Sequence, residues 1–288
     1  MTKLRFIKTG LQTTIQDLGR TGHQHLGIPV GGVMDKRSAR LANDLVGNAA
    51  EYPLFEITLL GPSIRFEGAC QIAITGAMLS PEINGQAIAQ NQTINIDDGD
   101  LLNFGRPIAG CRAYLAIRGQ WKVTKWLGSC SASTSKGEIA TPDSWIKKDI
   151  RIEVESDSPI APKTASETLQ LDALQMPIKV MQGPEFHLFS NLFVGIFFSK
   201  SFTITPDSNR MGYRLQEPIE GYESLGEIIS SGVIPGTIQI TNAGQAIVLM
   251  ADAQTTGGYP RLLNLLTPEI DRMAQLKPGD QVRFELVS

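Results

Sequence analysis

A mainly β fold with a few short helices, divided into two domains, is what this sequence predicts. Many short apolar segments carry β-branched or aromatic residues and are cut by Gly, Pro, Asn and Asp. Helical stretches are few and do not alternate regularly with those segments. A stretch rich in Pro, Ser and Thr near the middle of the chain lacks strand alternation. Strands bracketed by turn formers, without interleaved helices, argue for β-barrels or sandwiches over a doubly wound α/β sheet.

Leu4–Ile7, Phe55–Leu60, Ile72–Thr75, Ile94–Ile96, Ala113–Ile117, Ile150–Val154, Ile178–Met181, Ile247–Met250 and Val282–Val287 read as strands. Asn84-Gly85, between Pro81–Ile83 and Ala87–Ile88, reads as a type I′ hairpin turn. Asp97-Asp98-Gly99-Asp100 and Lys277-Pro278-Gly279-Asp280 each precede an apolar strand, a hint of duplicated architecture. Asp35–Gly47 is the clearest helix. Its apolar stripe is Ala39, Leu41, Ala42, Leu45 and Val46, with Asp35 or Ser38 as N-cap and Gly47-Asn48 as the stop. Glu185–Phe197 and Pro268–Gln275 are further helices, the latter with Pro268 near its first position. Ser156–Pro177 is the linker, which places domains at 1–160 and 161–288.

The 288 residues are 42% hydrophobic and 19% charged, a globular composition with ample core material. A formal net charge of -3 disfavours phosphate-driven nucleic-acid binding. Cys70, Cys111 and Cys130 are odd in number and far apart, which argues against a disulfide framework or a zinc knuckle. His23, His25 and His187 form no metal-ligand pattern. Met1–Asp17 lacks a continuous apolar stretch, and Leu192–Phe198 is too short to span a bilayer. A soluble, cytoplasmic protein is the expectation.

Three segments can carry chemistry. Gln16, Asp17 and Arg20 form a polar cluster in a Gly-bounded loop, or simply an Asp–Arg pair that pins a turn. Asn209-Arg210-Met211-Gly212-Tyr213-Arg214 offers two arginine forks suited to carboxylate or phosphate. The plainer reading there is surface ion pairs to Glu217 or Glu220. Asp252-Ala253-Gln254-Thr255-Thr256-Gly257-Gly258-Tyr259-Pro260 follows a strand and presents amide, hydroxyl and backbone donors, or else merely caps the β structure. A P-loop, a G-x-G-x-x-G fingerprint and a G-x-S-x-G elbow are all missing, and Ser133-Thr134-Ser135-Lys136-Gly137 is not a Walker motif. Ile178-Lys179-Val180-Met181 loosely echoes the context of a biotinylated lysine, but it reads as a buried strand.

The motifs T-T-I-Q-D-L-G-R (13–20), M-D-K-R-S-A-R-L-A-N-D-L-V-G-N (34–48), E-I-T-L-L-G-P (56–62) and R-M-G-Y-R-L (210–215) share one resemblance. So do S-S-G-V-I-P-G-T-I-Q (230–239), D-A-Q-T-T-G-G-Y-P (252–260) and A-Q-L-K-P-G-D (274–280). Together they resemble the allophanate hydrolase subunit 2 family, also called the biotin-dependent carboxyltransferase domain. Its bacterial members include the C-type subunit of 5-oxoprolinase and KipA-like antagonists of a histidine-kinase inhibitor.

The resemblance implies two cyclophilin-like β-barrel domains. It implies a subunit 1-family partner (the B-type component of 5-oxoprolinase) and a LamB/YcsF-family partner (the A-type component), with no activity for the chain alone. The implied reaction is ATP-dependent opening of 5-oxoproline to L-glutamate, with ATP and Mg as co-substrate and no biotin on this chain. Two alternatives are implied as well: regulation by sequestering a subunit 1-type kinase inhibitor, and carboxyl transfer to urea or an amide from carboxybiotin supplied in trans.

Lactam opening requires carboxylate binding and a polarised amide. Asp17 or Asp252 is then the candidate base, unless it only orients Arg20, and Gln254 completes the catalytic candidates. Arg210 and Arg214 are candidates for anion binding, and Thr255 and Thr256 for the amide together with Gly257 and Gly258. Gln16, Arg20, Tyr213 and Tyr259 complete the binding set. The sequence departs from the family pattern at Cys130, where Arg is usual, at Asn209, where Asp is usual, and at Arg118-Gly119-Gln120, in place of Gly-Gly. The first two each remove a charge from a candidate loop.

Overall fold

Alternation of buried and exposed side chains sorts the strands into sheets that share apolar cores. A computed structural model describes residues 1–133, 139–166, 175–219, 222, 225–226 and 228–287. The chain divides into two units, Met1–Arg20 with Gly31–Leu171 and Thr21–Val30 with Asp172–Ser288. A single cut at 160/161 cannot express this grouping, because residues 21–30 belong with the second unit.

The first unit contains β1 (Thr2–Lys8), β2 (Gln12–Gln16), helix α1 (Lys36–Leu45), β3 (Leu54–Thr58), β4 (Ser63–Glu67), β5 (Cys70–Met78) and β6 (Pro81–Ile83). It continues with β7 (Gln86–Ala87), β8 (Thr93–Ile96), β9 (Leu101–Phe104), β10 (Ala109–Ile117), β11 (Gln120–Trp121) and β12 (Arg151–Glu155). Seven strands pair in the order β11-β12-β1-β4-β9-β6-β7 and five in the order β2-β3-β10-β5-β8. Leu4 and Phe6 of the first sheet share one core with Ile15, Phe55, Ile74 and Leu115 of the second. The other face of the five-stranded sheet is covered by α1 through Ala39, Ala42 and Leu45. Burial of each large aliphatic side chain in these cores contributes about 1.5–3 kcal/mol.

The helix starts where expected: Asp35 caps it by accepting from Ser38 N at 2.9 Å and Ser38 Oγ at 2.6 Å. Beneath it runs a buried polar row, because register sets Thr14 opposite Glu56, Glu56 opposite Tyr114, and Tyr114 opposite Thr75. The Tyr114 hydroxyl accepts from Asp35 N at 2.8 Å and donates to Glu56 Oε2 at 3.0 Å. Glu56 also accepts from Met34 N at 2.8 Å and lies 3.7 Å from Arg112.

The second unit contains β13 (Ile178–Gln182), α2 (Asn191–Ser199), β14 (Phe202–Thr203), β15 (Gly212–Arg214), β16 (Ser231–Gly232) and β17 (Thr237–Ile240). After these come β18 (Ala246–Leu249), β19 (Thr256–Gly257), β20 (Arg261–Leu265), α3 (Thr267–Met273), β21 (Gln281–Val282) and β22 (Phe284–Leu286). Six strands form the order β15-β18-β17-β20-β13-β22, while β14–β21 and β16–β19 are separate pairs. The expected helix over Glu185–Phe197 is a 3-10 turn at Phe186–Leu188 followed by α2. Ser190 divides them: it is extended and its hydroxyl caps Phe193 N. Strand β13 alternates, with Ile178 and Val180 buried and Lys179 exposed, so it is half-buried and not enclosed on both faces.

Asn84 and Gly85 both have positive φ (52° and 82°) between paired β6 and β7, as a type I′ turn requires. The two x-x-Gly-Asp turns match bond for bond. Asp97 N donates to Asp100 and Lys277 N to Asp280, each at 2.9 Å. Gly99 N and Asp100 O bond Phe66, while Gly279 N and Asp280 O bond Ile204. No helix among the described residues is long and apolar enough to cross a membrane.

Tyr114→Phe removes a hydroxyl that serves two buried partners. It is expected to lower the unfolding free energy by about 1–3 kcal/mol, read from the denaturant midpoint, with the slope unchanged.

Candidate functional site

Strand β2 ends in Gln16 and delivers Asp17 into a ring of donors. Asp17 Oδ1 accepts from Gly19 N at 2.8 Å and from the hydroxyls of Ser129 and Ser131, both at 2.6 Å. Its Oδ2 accepts from Cys130 N at 2.8 Å and from the Cys130 thiol at 3.3 Å. Burial raises the Asp17 pKa, but the bonds from Ser129, Ser131, Gly19 and Cys130 outweigh it and hold the carboxyl below the usual carboxylate range. A carboxylate so engaged is a poor proton acceptor. In this structure Asp17 therefore anchors the 129–131 loop. Burial and the Asp17 charge push the Cys130 thiol well above its ordinary value, so it stays protonated and donates.

Arg20 is buried, donates to Ser131 O, and stands 5.1 Å from the Trp126 ring centroid. Gly32 (φ +87°) crosses this corner so closely that a Cβ there would lie 2.7 Å from Gly19 N. Beside Asp17 opens a cleft of about 440 Å³, whose walls include Tyr52, Trp121, Lys125 and Cys130. Gln16 is fully buried, and its amide nitrogen donates to Thr14 Oγ1 at 3.0 Å.

In the second unit, two residues with separate expected roles form one ion pair. Arg210 Nε and Nη2 each reach Asp252 at 2.9 Å, with the side chains 5% and 3% exposed. This pairing compensates both buried charges. Tyr213 is likewise a core residue, its hydroxyl donating to Leu276 O at 3.1 Å. Arg214 is exposed and has no ion-pair partner among the described residues; Glu217 accepts instead from Thr203 N at 2.6 Å, and Glu220 lies outside the described residues. Asn209 accepts from Met211 N at 2.8 Å and so shapes the turn into β15.

The 254–259 loop is held from behind. Thr256 and Gly257 pair with Ser231 and Gly232, and Thr255 O accepts from Val233 N at 3.0 Å. Gln239 Nε2 donates to Tyr259 O at 3.0 Å, and a Cβ at Gly257 would lie 2.7 Å from that nitrogen. Gly258 O accepts from Ile228 N at 2.9 Å. Arg261 forks onto Glu185 at 2.7 and 2.5 Å and also reaches Gly232 O at 2.7 Å. The Arg261 guanidinium holds the Glu185 carboxyl below its ordinary range. Gln254 and Thr256 are left exposed.

The structure thus places Gln16, Asp17 and Arg20 in the first unit. Arg210, Tyr213, Arg214 and Asp252 through Tyr259 lie in the second. Sequence reasoning missed Ser129, Ser131, Trp145, Gln239, Glu185 and Arg261. Of these, Gln239 ends the S-S-G-V-I-P-G-T-I-Q motif, Ser129 and Ser131 flank the Cys130 departure, and Glu185 opens the expected Glu185–Phe197 helix, while Trp145 and Arg261 lay in no stretch singled out.

Among known proteins, the family model for the carboxyltransferase domain, subdomain A and B, matches residues 26–286. The chain is 34% identical over 286 residues to the C-type subunit of 5-oxoprolinase from Escherichia coli (strain K12), across 98% of this chain and 90% of that protein. The crystal structure of TTHA0988 in space group P6522 superposes with a TM-score of 0.88 at 27% identity. That match covers 99% of this chain but 56% of the other, so the chain spans about half of that protein's length. The Kluyveromyces lactis urea carboxylase structure gives a TM-score of 0.86 at 30% identity, over 99% of this chain and 27% of that one.

Asp17→Asn removes the charge and turns a donor NH2 toward a ring of donors, and is expected to cost about 2–3 kcal/mol at neutral pH. Because the folded pKa lies below the unfolded one, the Asp17 contribution is complete above the ordinary value of 3.8 and is lost as pH falls through the folded value. Urea midpoints of the two proteins should therefore converge only at acid pH. A constant gap down to about pH 2 would contradict the assignment.

Proposed function

The chain belongs to the carboxyltransferase domain family, subdomains A and B, and on that premise we propose that it is a subunit of an ATP-dependent 5-oxoprolinase complex. The observation that carries this reading is the similarity to the C-type 5-oxoprolinase subunit along nearly the whole length of both chains. The partners are a subunit 1-family protein and a LamB/YcsF-family protein. ATP, with Mg, is the co-substrate that makes the resonance-stabilised lactam carbonyl reactive. The net reaction consumes ATP and two waters: one water adds across the C–N bond, its oxygen joining the carbonyl carbon while the nitrogen leaves protonated to give L-glutamate, and the other accompanies cleavage of ATP to ADP and phosphate.

Within this reading the 254–259 loop meets the lactam. Gln254, Thr255 and Thr256 approach the amide, with the Gly257–Gly258 backbone beside the oxygen on which charge develops. Gln239 and the Glu185–Arg261 pair support that loop from behind, as a preorganised donor set requires. Arg214 is the exposed cation for the substrate carboxylate. Asp17 and the Arg210–Asp252 pair act as positioning groups in their own units.

A second reading is supported by the likeness to the K. lactis urea carboxylase structure: transfer of a carboxyl group to urea or an amide from carboxybiotin held by another protein.

The test is reconstitution with both partners and assay of glutamate from 5-oxoproline. Formation that needs ATP and this chain supports the proposal. A stable complex without turnover overturns it and favours the regulatory role; turnover only with urea and a biotin carboxylase favours carboxyl transfer. In the active complex, Gln254→Ala is expected to lower kcat by about tenfold, and Arg214→Ala to raise KM by about tenfold with kcat largely kept.

A further inference from the structure

The polar row under α1 is satisfied at one end and open at the other. Its inner members, Tyr114 and Glu56, bond each other and the 34–35 backbone. At its outer end Thr14 forms an isolated antiparallel bridge with Trp145, so the Trp145 side chain joins the face that carries Thr14 and Gln16. The Gln16 amide nitrogen is anchored on Thr14 Oγ1, while its carbonyl oxygen Oε1 is buried without a hydrogen-bond partner. The Trp145 indole Nε1 is buried without one too. One acceptor and one donor therefore lie on the same face, two residues apart along β2 and one strand across. Diagonal neighbours of this kind are within reach of an aromatic side chain. Buried polar atoms are nearly always satisfied, so an open pair of opposite sense asks for a group that supplies both halves.

We propose that Gln16 and Trp145 form an amide-binding niche in the first unit. Gln16 Oε1 accepts from the ligand N–H, and the Trp145 indole N–H donates to the ligand C=O. The matching ligands are a carboxamide, a lactam or a urea, each of which carries both groups on adjacent atoms. The proposal deepens the function proposed above and rests on it for the choice of a lactam as probe. It adds a point of amide recognition in the first unit to the one assigned to the 254–259 loop.

The probe is 2-pyrrolidinone, titrated into the ¹⁵N-labelled full chain while the indole N–H signals of Trp121, Trp126 and Trp145 are followed, with Trp145→Phe supplying the assignment. The expected result is a saturable shift of the Trp145 signal. N-methyl-2-pyrrolidinone keeps the carbonyl but lacks the N–H, and should bind about fivefold more weakly or worse. Gln16→Met keeps the length and apolar fit but removes the acceptor, and should weaken 2-pyrrolidinone similarly.

A Trp145 signal that does not move, or that moves equally with both lactams, overturns the proposal and leaves a resident water as the partner of both groups. The N-methyl comparison uses the unaltered protein, so the test stands even where Gln16→Met fails to fold. ATP-dependent turnover by the reconstituted complex without a Trp145 shift would sink this inference and spare the activity. A shift without turnover would do the reverse.

Discussion

The Asp17 carboxylate is the constraint around which the first unit is arranged. Five donors from residues 19, 129, 130 and 131 converge on its two oxygens. Desolvating an anion is costly, and it is tolerated here because every approach is met by a hydrogen bond. The donors come from two segments more than a hundred residues apart, so the carboxylate fixes one against the other. The same corner accepts Val33 N on the Asp17 carbonyl, and Gly32 passes where no side chain fits. From there the chain enters the α1 cap and the Glu56–Tyr114 network. A single buried charge therefore ties the end of β2, the 129–131 loop and the start of the helix into one cooperative corner.

The second unit uses the same strategy with different partners. Its charged groups also hold backbone in place. Arg210–Asp252 joins the entry to β15 with the end of β18, and Glu185–Arg261 joins the chain before α2 with the start of β20. Gln239 then braces the Gly257 backbone and the Tyr259 carbonyl. Facing outward are a small set of neutral donors at 254–256 and, on β15, the exposed Arg214. A loop supported by committed ions and offering neutral polar groups suits polarising an amide better than abstracting a proton.

Much of this architecture was legible. β-Branched runs bounded by turn formers located the strands, since that pattern reports a pleated surface with one face in a core. Asn84-Gly85 and the Asp35 cap were legible because their chemistry is local: a positive φ and an orphan N–H have few solutions. The site was harder because its geometry is not local. Arg210 and Asp252 each look like functional residues in isolation, and only the β15–β18 register reveals that they neutralise each other. Tyr213 read as a binding residue in a polar motif, but strand alternation turns it inward. Ser129 and Ser131 flank Cys130, whose departure drew notice to the loop but not to them, and their role depends on a carboxylate more than a hundred positions earlier. The allotment of residues 21–30 to the second unit is a property of packing that no composition change announces.

The hairpin at Asn84-Gly85 has a chemical consequence for how the molecule ages. Asparagine followed by glycine is the dipeptide most open to deamidation, because the unhindered glycine nitrogen can attack the side-chain carbonyl and expel ammonia. Here Asn84 Nδ2 donates to Asp100 at 2.7 Å, and Asn84 Oδ1 accepts from Leu101 N at 3.0 Å. Both bonds hold the amide on the β9 side of the turn, away from the attacking nitrogen. Once formed, the new carboxylate would face Asp100 in place of a donor, and the turn would be driven apart by like charge. Deamidation at this dipeptide would thus accumulate in proportion to the time the hairpin spends open, and would then keep it open.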